Sequence, residues 1–211
     1  MDNYTRKQSG LPYICDDQCA GQMRENARKL YEYNNGDRWS DEGIKQQDKR
    51  IREILGGAGK NIVVTPPFHC DYGYNITVGD NFYANFNLII LDVATVKIGD
   101  NVFIAPNVSI YTAGHPVHPK ARNSMYEYGI QIEIGNDCWI GGNAVICPGV
   151  RIGNGVVIGA GSVVTHDIPD NVVAAGNPCK VLREITDDDL KYYFKDREFG
   201  KEELDYIEGL K

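Results

Sequence analysis

The 211-residue chain has no long apolar run. Its longest aliphatic stretch, LIIL at 88–91, is far too short to cross a bilayer. The opening MDNYTRKQSGLPYICDDQCA carries no apolar core of signal-peptide length, so a cytoplasmic location is expected. Positive charge is also in short supply. Twenty-two Lys and Arg stand against 29 Asp and Glu, for a net charge of -7 and a pI of about 5.1. Nucleic acid and anionic membrane both call for a basic surface, so neither is expected as the main partner. A cysteine framework for zinc is missing too, because Cys15-x3-Cys19 has no second pair at ligand spacing. In the cytoplasm this pair and Cys70, Cys138, Cys147 and Cys179 are expected to be thiols. What is present suffices for a folded core, with 42% apolar and 24% charged residues.

The apolar residues are spaced by six. Val78, Ala84, Ile90, Ile98, Ile104, Ile110, Ile134, Ile140, Ile146, Ile152, Ile158 and Val164 each lead a hexad. Small residues such as Gly79, Gly99, Ala105, Gly135 and Gly153 follow the lead, and a second apolar or small residue comes four places after it. No helical repeat has this period. Six residues with small or turn-forming corners describe one short strand plus a turn of a parallel β-helix. "GDN", "NG" and "GAG" supply the Asn and Gly that tolerate left-handed turns. Three hexads close a triangular coil, so twelve predict about four coils, stacked at about the 4.8 Å spacing of paired strands.

Two interruptions break the rhythm. The step from Ile90 to Ile98 is eight residues, which implies an insertion near 93–95. The step from Ile110 to Ile134 leaves a loop of about 112–131 that contains His115 and His118. An irregular loop of that length in a compact fold is usually functional. Residues 1–60 lack the hexads. Residues 24–33 and 41–55 have helix-like spacing, with Ser40 as N-cap and Gly56-Gly57 as stop. Thr186-Asp187-Asp188-Asp189 predicts a helix start that continues into LKYYFKD. The expected organisation is an N-terminal helical segment over 1–60, a β-helix over 61–184 and a helical tail over 185–211. The two flanks would cover the open coil edges.

YGYNITVGDNFYANFN, IGDNVFIAPNVSIYTAGHPVH, IGNDCWIGGNAVICPGVRIGNGVVIGAGSVVT, NVVAAGNPCKVLREI and YYFKD resemble the galactoside/maltose O-acetyltransferases of the hexapeptide-repeat acyltransferase superfamily. The likeness spans nearly the whole chain, and "YANFN" with "TAGHPVH" is its most specific part. It implies a left-handed coil, against the usual right-handed rule for parallel crossovers. It also implies a homotrimer with active sites between neighbouring subunits, and acetyl transfer from acetyl-CoA to a sugar hydroxyl without a metal.

Within that resemblance His115 is the expected general base. A sugar hydroxyl is a poor nucleophile, and a neutral imidazole takes its proton during attack on the thioester. Asn85 of "YANFN" is expected to contact the acceptor and the reacting centre. On the acceptor side stand Asp17, Asp71, Tyr83, Asp92 and Glu127, since carboxylates accept bonds from paired hydroxyls well. Asp71 departs from the family, whose galactoside members carry a small hydroxyl residue there. Gly142, Ala160 and Gly161 would open a groove for the pantetheine arm, with Trp139 beside it. Thr165, His166, Lys180 and Arg183 would meet the nucleotide phosphates. His166 replaces a more usual Lys, and Lys180 a more usual Arg. Each residue also has a plainer role open to it: turn-forming Asn, solvated carboxylate or interface Trp. His118 is expected to pack locally, and a metal held by His69, His115 and His118 is the minor alternative. Other functions open at this point are transfer to an antibiotic, an amino sugar or a serine-like hydroxyl, and a scaffold that keeps the fold without catalysis.

Overall fold

A computed structural model describes residues 1–209. The hexads build three parallel walls that follow one another round each coil. The first wall stacks Gly57–Ala58, Ile76–Val78, Val96–Ile98, Ile132–Ile134 and Arg151–Ile152. The second stacks Val63–Val64, Tyr83–Ala84, Phe103–Ile104, Trp139–Ile140 and Val157–Ile158, then Val172–Gly176 and its antiparallel partner Cys179–Glu184. The third stacks Phe68–Cys70, Leu88–Leu91, Ser109–Tyr111, Val145–Ile146 and Val163–Val164.

Each wall carries at least five parallel strands, so the solenoid has five coils where hexad counting gives about four. The uncounted coil is the first. Its leads are Ala58, Val64 and Cys70, six apart, and it starts at Gly57, ahead of the expected boundary at 61. The Cys70 lead and the eight-residue step from it to Val78 hid this coil from the pattern.

Lead and companion side chains point inward. Ile104, Val108, Ile110, Ile140, Ile146 and Val156 are at most 1% exposed and stack in register. The corners are held by side chains as well as by backbone. Asn81, Asn101 and Asp137 each sit at a positive φ of 55–58°, a conformation open to Asn and Asp at low cost. They also hydrogen-bond from coil to coil, with Asn81 Nδ2 donating to Asn101 Oδ1 and Asn101 Nδ2 to Asp137 Oδ1, both at 2.9 Å.

The coil's lower end is closed by helices. Helix α1 spans Asn3–Gln8, α2 spans Asp17–Asn35 and α3 spans Asp41–Ile54. Ser40 caps α3 by accepting from Gly43 N–H. Asn34 both donates to Phe68 O and accepts from Phe68 N–H at 2.9 Å, which satisfies the edge strand of the third wall. Helix α2 begins at Asp17, earlier than the apolar spacing over residues 24–33 indicates, because Asp16 supplies the cap through Cys19 N–H.

The C-terminal segment differs from the expected continuous helix. A 3₁₀ turn over Asp187–Lys191 gives way to a hairpin, Tyr192–Phe194 with Arg197–Glu198, and only then to α5 at Lys201–Gly209. The aromatic run YYF favours a strand over a helix interior, and Lys195 at φ 52° turns the chain. Positions 210 and 211 of the expected tail lie outside the described residues. Among the described residues no helix is long and apolar enough to cross a membrane.

Candidate active site

The insertions all fall at one corner, between the third and first walls. Cys70 to Val78 and Ile90 to Ile98 are steps of eight, and Ile110 to Ile134 is the long loop. The loop does not hang free. Ala113–Gly114 pairs antiparallel with Tyr126–Gly129, which pairs in turn with Tyr13–Ile14 of the N-terminal segment. This small sheet lies on Tyr13, Cys19, Tyr72 and Val93, all at most 8% exposed. His115 leaves the sheet directly after Gly114 and is itself exposed.

The His115 ring is held from one side. Nδ1 lies 3.3 Å from the Tyr126 carbonyl oxygen. A carbonyl oxygen only accepts, so in the neutral ring this contact favours the tautomer with the proton on Nδ1 and the lone pair on Nε2, the one a general base needs. His118 has a different task. Its Nδ1 accepts from Lys120 N–H at 3.2 Å and caps the short helix α4, Pro119–Arg122. His69 stands on the outer face of the third wall. Among the described residues no group of three His, Cys, Asp or Glu side chains is placed to hold a metal ion.

Carboxylates gather where the loop sheet meets this corner. Glu127 is the cross-strand partner of Tyr13, and burial first, then the Glu127 carboxylate, push the Tyr13 phenol up. Asp71 is half-buried. Burial first, then Asp92 and Glu127, raise its carboxyl to about 6, against a smaller opposite pull from Lys7. Asp17 is exposed in the first turn of α2, while its neighbour Asp16 does the capping.

Asp92 does not have the expected place among the sugar ligands. It is fully buried. Its Oδ1 accepts from Asp71 N–H at 3.0 Å and from Tyr72 N–H at 2.9 Å, and its own carbonyl accepts from Asn75. The two-residue insertion turned this side chain inward to satisfy the neighbouring corner, so it shapes the backbone that carries Asp71. Tyr83 is also elsewhere. It stands half-buried on the outer face of the second wall, with its ring centroid 6.2 Å from that of Phe103.

Sequence reasoning missed Lys7, Tyr13, Cys19 and Tyr72. Lys7 is only 4% exposed, with Nζ 3.2 Å from the Tyr72 ring centroid and 3.4 Å from Tyr74 Oη. Burial pulls its pKa down, opposed by the charges of the corner. Nothing in TRKQSG marks that lysine as buried. The available signal was positional: Tyr13, set between Pro12 and Ile14-Cys15 in a polar N-terminal segment, has to pack on something.

A second set of residues follows the opposite corner, between the second and third walls. Asn85, Pro106, Gly142 and Ala160 lie there on successive coils, and Gly161 N–H donates to Gly142 O at 2.8 Å. A Cβ on Gly142 would come within 3.2 Å of Pro106 O, and Gly161 has φ +71°, so small residues keep this edge low. Asn85 Oδ1 accepts from Phe86 N–H at 2.8 Å, which leaves its Nδ2 donor free to point outward. At the upper end, Thr165 Oγ1 lies 2.9 Å from His166 Nδ1, and Lys180 is exposed on the hairpin strand. Trp139 is 55% exposed on the second wall. Arg183 is less free than expected, because its fork grips Asp189 at 2.7 and 2.8 Å. That contact holds the Asp189 carboxyl down at about 2.

Within one chain His115 and Asn85 are not brought together. They flank opposite edges of the third wall, whose strand Leu88–Leu91 alone spans roughly 13 Å.

The description "Bacterial transferase hexapeptide (six repeats)" matches residues 131–166. A galactoside O-acetyltransferase of Escherichia coli K12 is 50% identical over 85% of this chain and 89% of its own length. A solved galactoside acetyltransferase in complex with coenzyme A superposes with a TM-score of 0.90 at 46% identity, covering 95% of this chain and 99% of that one. A maltose O-acetyltransferase from Clostridium difficile 630 gives 0.84 at 45%, covering 89% and 99%. The match identifies the coil as the left-handed parallel β-helix of such enzymes.

Proposed function

The chain belongs to the galactoside/maltose O-acetyltransferase family of hexapeptide-repeat proteins and is an acetyl-CoA-dependent O-acetyltransferase; from that premise we propose that His115 is its general base, Asn85 its carbonyl-polarising donor, and a sugar hydroxyl its acceptor. The observation that carries this reading is the contact between His115 Nδ1 and the Tyr126 carbonyl. It leaves Nε2 as a proton acceptor at the mouth of the inserted loop.

Acetyl-CoA supplies the activated acetyl group. As the sugar oxygen attacks the thioester carbonyl, its proton passes to His115 Nε2. Negative charge grows on the carbonyl oxygen, where the Asn85 Nδ2 donor stabilises it. The C–S bond then breaks, the ester C–O bond stands, and the proton on His115 goes to the departing thiolate. The low edge at Gly142, Ala160 and Gly161 receives the pantetheine arm. Lys180, Thr165 and His166 serve the phosphates, and Arg183 joins them by sharing its fork with Asp189.

These two half-sites require a second copy of the chain. Two of the three walls are fit for one. The second wall presents Val63, Tyr83, Phe103, Trp139 and Val157 outward, and the third presents Ile89, Val145 and Val163 together with His69 and Ser109, whereas the first presents Thr77, Lys97, Glu133 and Arg151. A trimer in which the second or third wall of each copy meets its neighbour covers the apolar faces, leaves the charged one in water, and sets His115 of one copy against Asn85 of the next.

Purified protein is expected to release free thiol from acetyl-CoA on addition of a galactoside, maltose or an amino sugar, and very little without an acceptor. Thiol release that no sugar accelerates would refute the sugar acceptor.

A further inference from the structure

We propose that the acceptor is a sugar bearing a protonated amine, held by the Asp71 and Glu127 carboxylates beside His115. This rests on the sugar O-acetyltransferase reading above and names its substrate class.

The charge at this corner is only partly compensated. Asp71, Asp92 and Glu127 act on one another, yet none of them takes part in an ion pair among the described residues. Among the described residues the one buried cation is Lys7, which acts on Asp71 and Asp92 from a distance while its Nζ is turned onto the Tyr72 ring and the Tyr74 hydroxyl. Among the described residues two buried polar atoms here have no partner within 3.5 Å: the Tyr13 hydroxyl, which the Glu127 carboxylate influences from farther off, and Asp92 Oδ2. A corner that keeps three carboxylates and an unpaired hydroxyl under the loop that carries the base complements a cation better than a neutral hydroxyl.

Asp71 and Glu127 are each half-buried and so within reach of a ligand, whereas Asp92 is sealed behind them. An ammonium between two carboxylates gains charge-assisted hydrogen bonds. Held protonated, the nitrogen has no lone pair to attack the thioester. The acetyl group therefore goes to a hydroxyl: the thioester C–S bond breaks, an ester C–O bond forms, and the hydroxyl proton leaves through His115 to the coenzyme thiolate.

The charged groups around Asp71 make the effect pH-dependent. Lys7 of α1 faces it from the N-terminal segment, Asp92 from the next coil and Glu127 from the loop. Burial pushes the flanking Cys70 thiol and Tyr72 phenol up, so both stay neutral. Asp71 gains a proton as the pH falls through about 6, and the hold on an ammonium weakens with it.

The test compares kcat/KM at pH 7 for a methyl glucosaminide with a free amine, the same compound N-acetylated, and methyl glucoside, with the products separated as O- or N-acetylated. The amine should exceed both neutral acceptors by roughly tenfold or more, the value of a charge-assisted contact, and give the O-acetyl product. The preference should collapse in Asp71→Asn and in Glu127→Gln, and shrink in the wild type below pH 6. Equal turnover of amine and neutral sugars, or an N-acetyl product, overturns this inference and leaves the sugar O-acetyltransferase reading standing. No transfer to any sugar overturns both.

Discussion

The His115→Ala variant is expected to assemble normally and to bind coenzyme A as before, while kcat falls by about 10²–10⁴, the usual contribution of a positioned general base. The ring sits in a loop outside the hexad core, exposed and tied only through Nδ1 to Tyr126 O, so its removal costs the solenoid nothing. What is lost is the Nε2 lone pair. His115→Asn should fail equally, because an amide hydrogen-bonds but takes no proton at neutral pH. Retention of more than about a tenth of wild-type kcat, with acetyl-CoA saturating, would remove His115 from the mechanism, since a general base supplies more than that.

Asn85→Asp is expected to lower kcat by about 10²–10³, the cost of losing one donor to a developing oxyanion. This substitution isolates the chemistry from the fold. In the native corner Oδ1 accepts from Phe86 N–H and the backbone N–H donates to Ile104 O, and aspartate keeps both contacts. Only the outward Nδ2 changes, from a donor to an acceptor that repels the oxyanion. Unfolding by denaturant should therefore match the wild type while single-turnover acetyl transfer slows. A wild-type rate in Asn85→Asp would assign Asn85 to turn formation alone.

The fold was legible because the hexad is a purely local code. Leads such as Ile104 and Ile140 are buried because each repeats its predecessor one coil away, and a period of six reveals that without any knowledge of partners. The code weakened at Cys70, a non-aliphatic lead followed by a step of eight to Val78, and one coil was lost from the count. The tail was misread for a related reason: acidic residues at 187–189 do start a helical turn, but the YYF run that follows pairs as a hairpin.

The site was legible only in part. His115 and Asn85 stand out because they break the pattern, and a break in a repeat is visible in sequence. Asp92 also breaks it, yet it faces inward, and spacing does not tell an inward carboxylate from an outward one. Lys7 and Tyr13 belong to a segment with no period, and their burial depends on the loop sheet formed with residues 126–129, more than a hundred positions away. Arg183 shows the same limit, since its pairing with Asp189 is a matter of distance, not motif.

The central claim is that each active site takes its base from one copy of the chain and its Asn85 donor from the next. The most direct measurement is made on mixed assemblies. His115→Ala and Asn85→Asp chains, each nearly inactive alone, are unfolded together in equal amounts, refolded, and assayed for acetyl transfer. If the two half-sites come from different chains, random assembly makes about one site in four fully native, and turnover should recover to about a quarter of the wild-type value. A mixture no more active than the mean of the two variants, with the assemblies shown to contain both chains, would contradict the shared site and place all of the chemistry within a single chain.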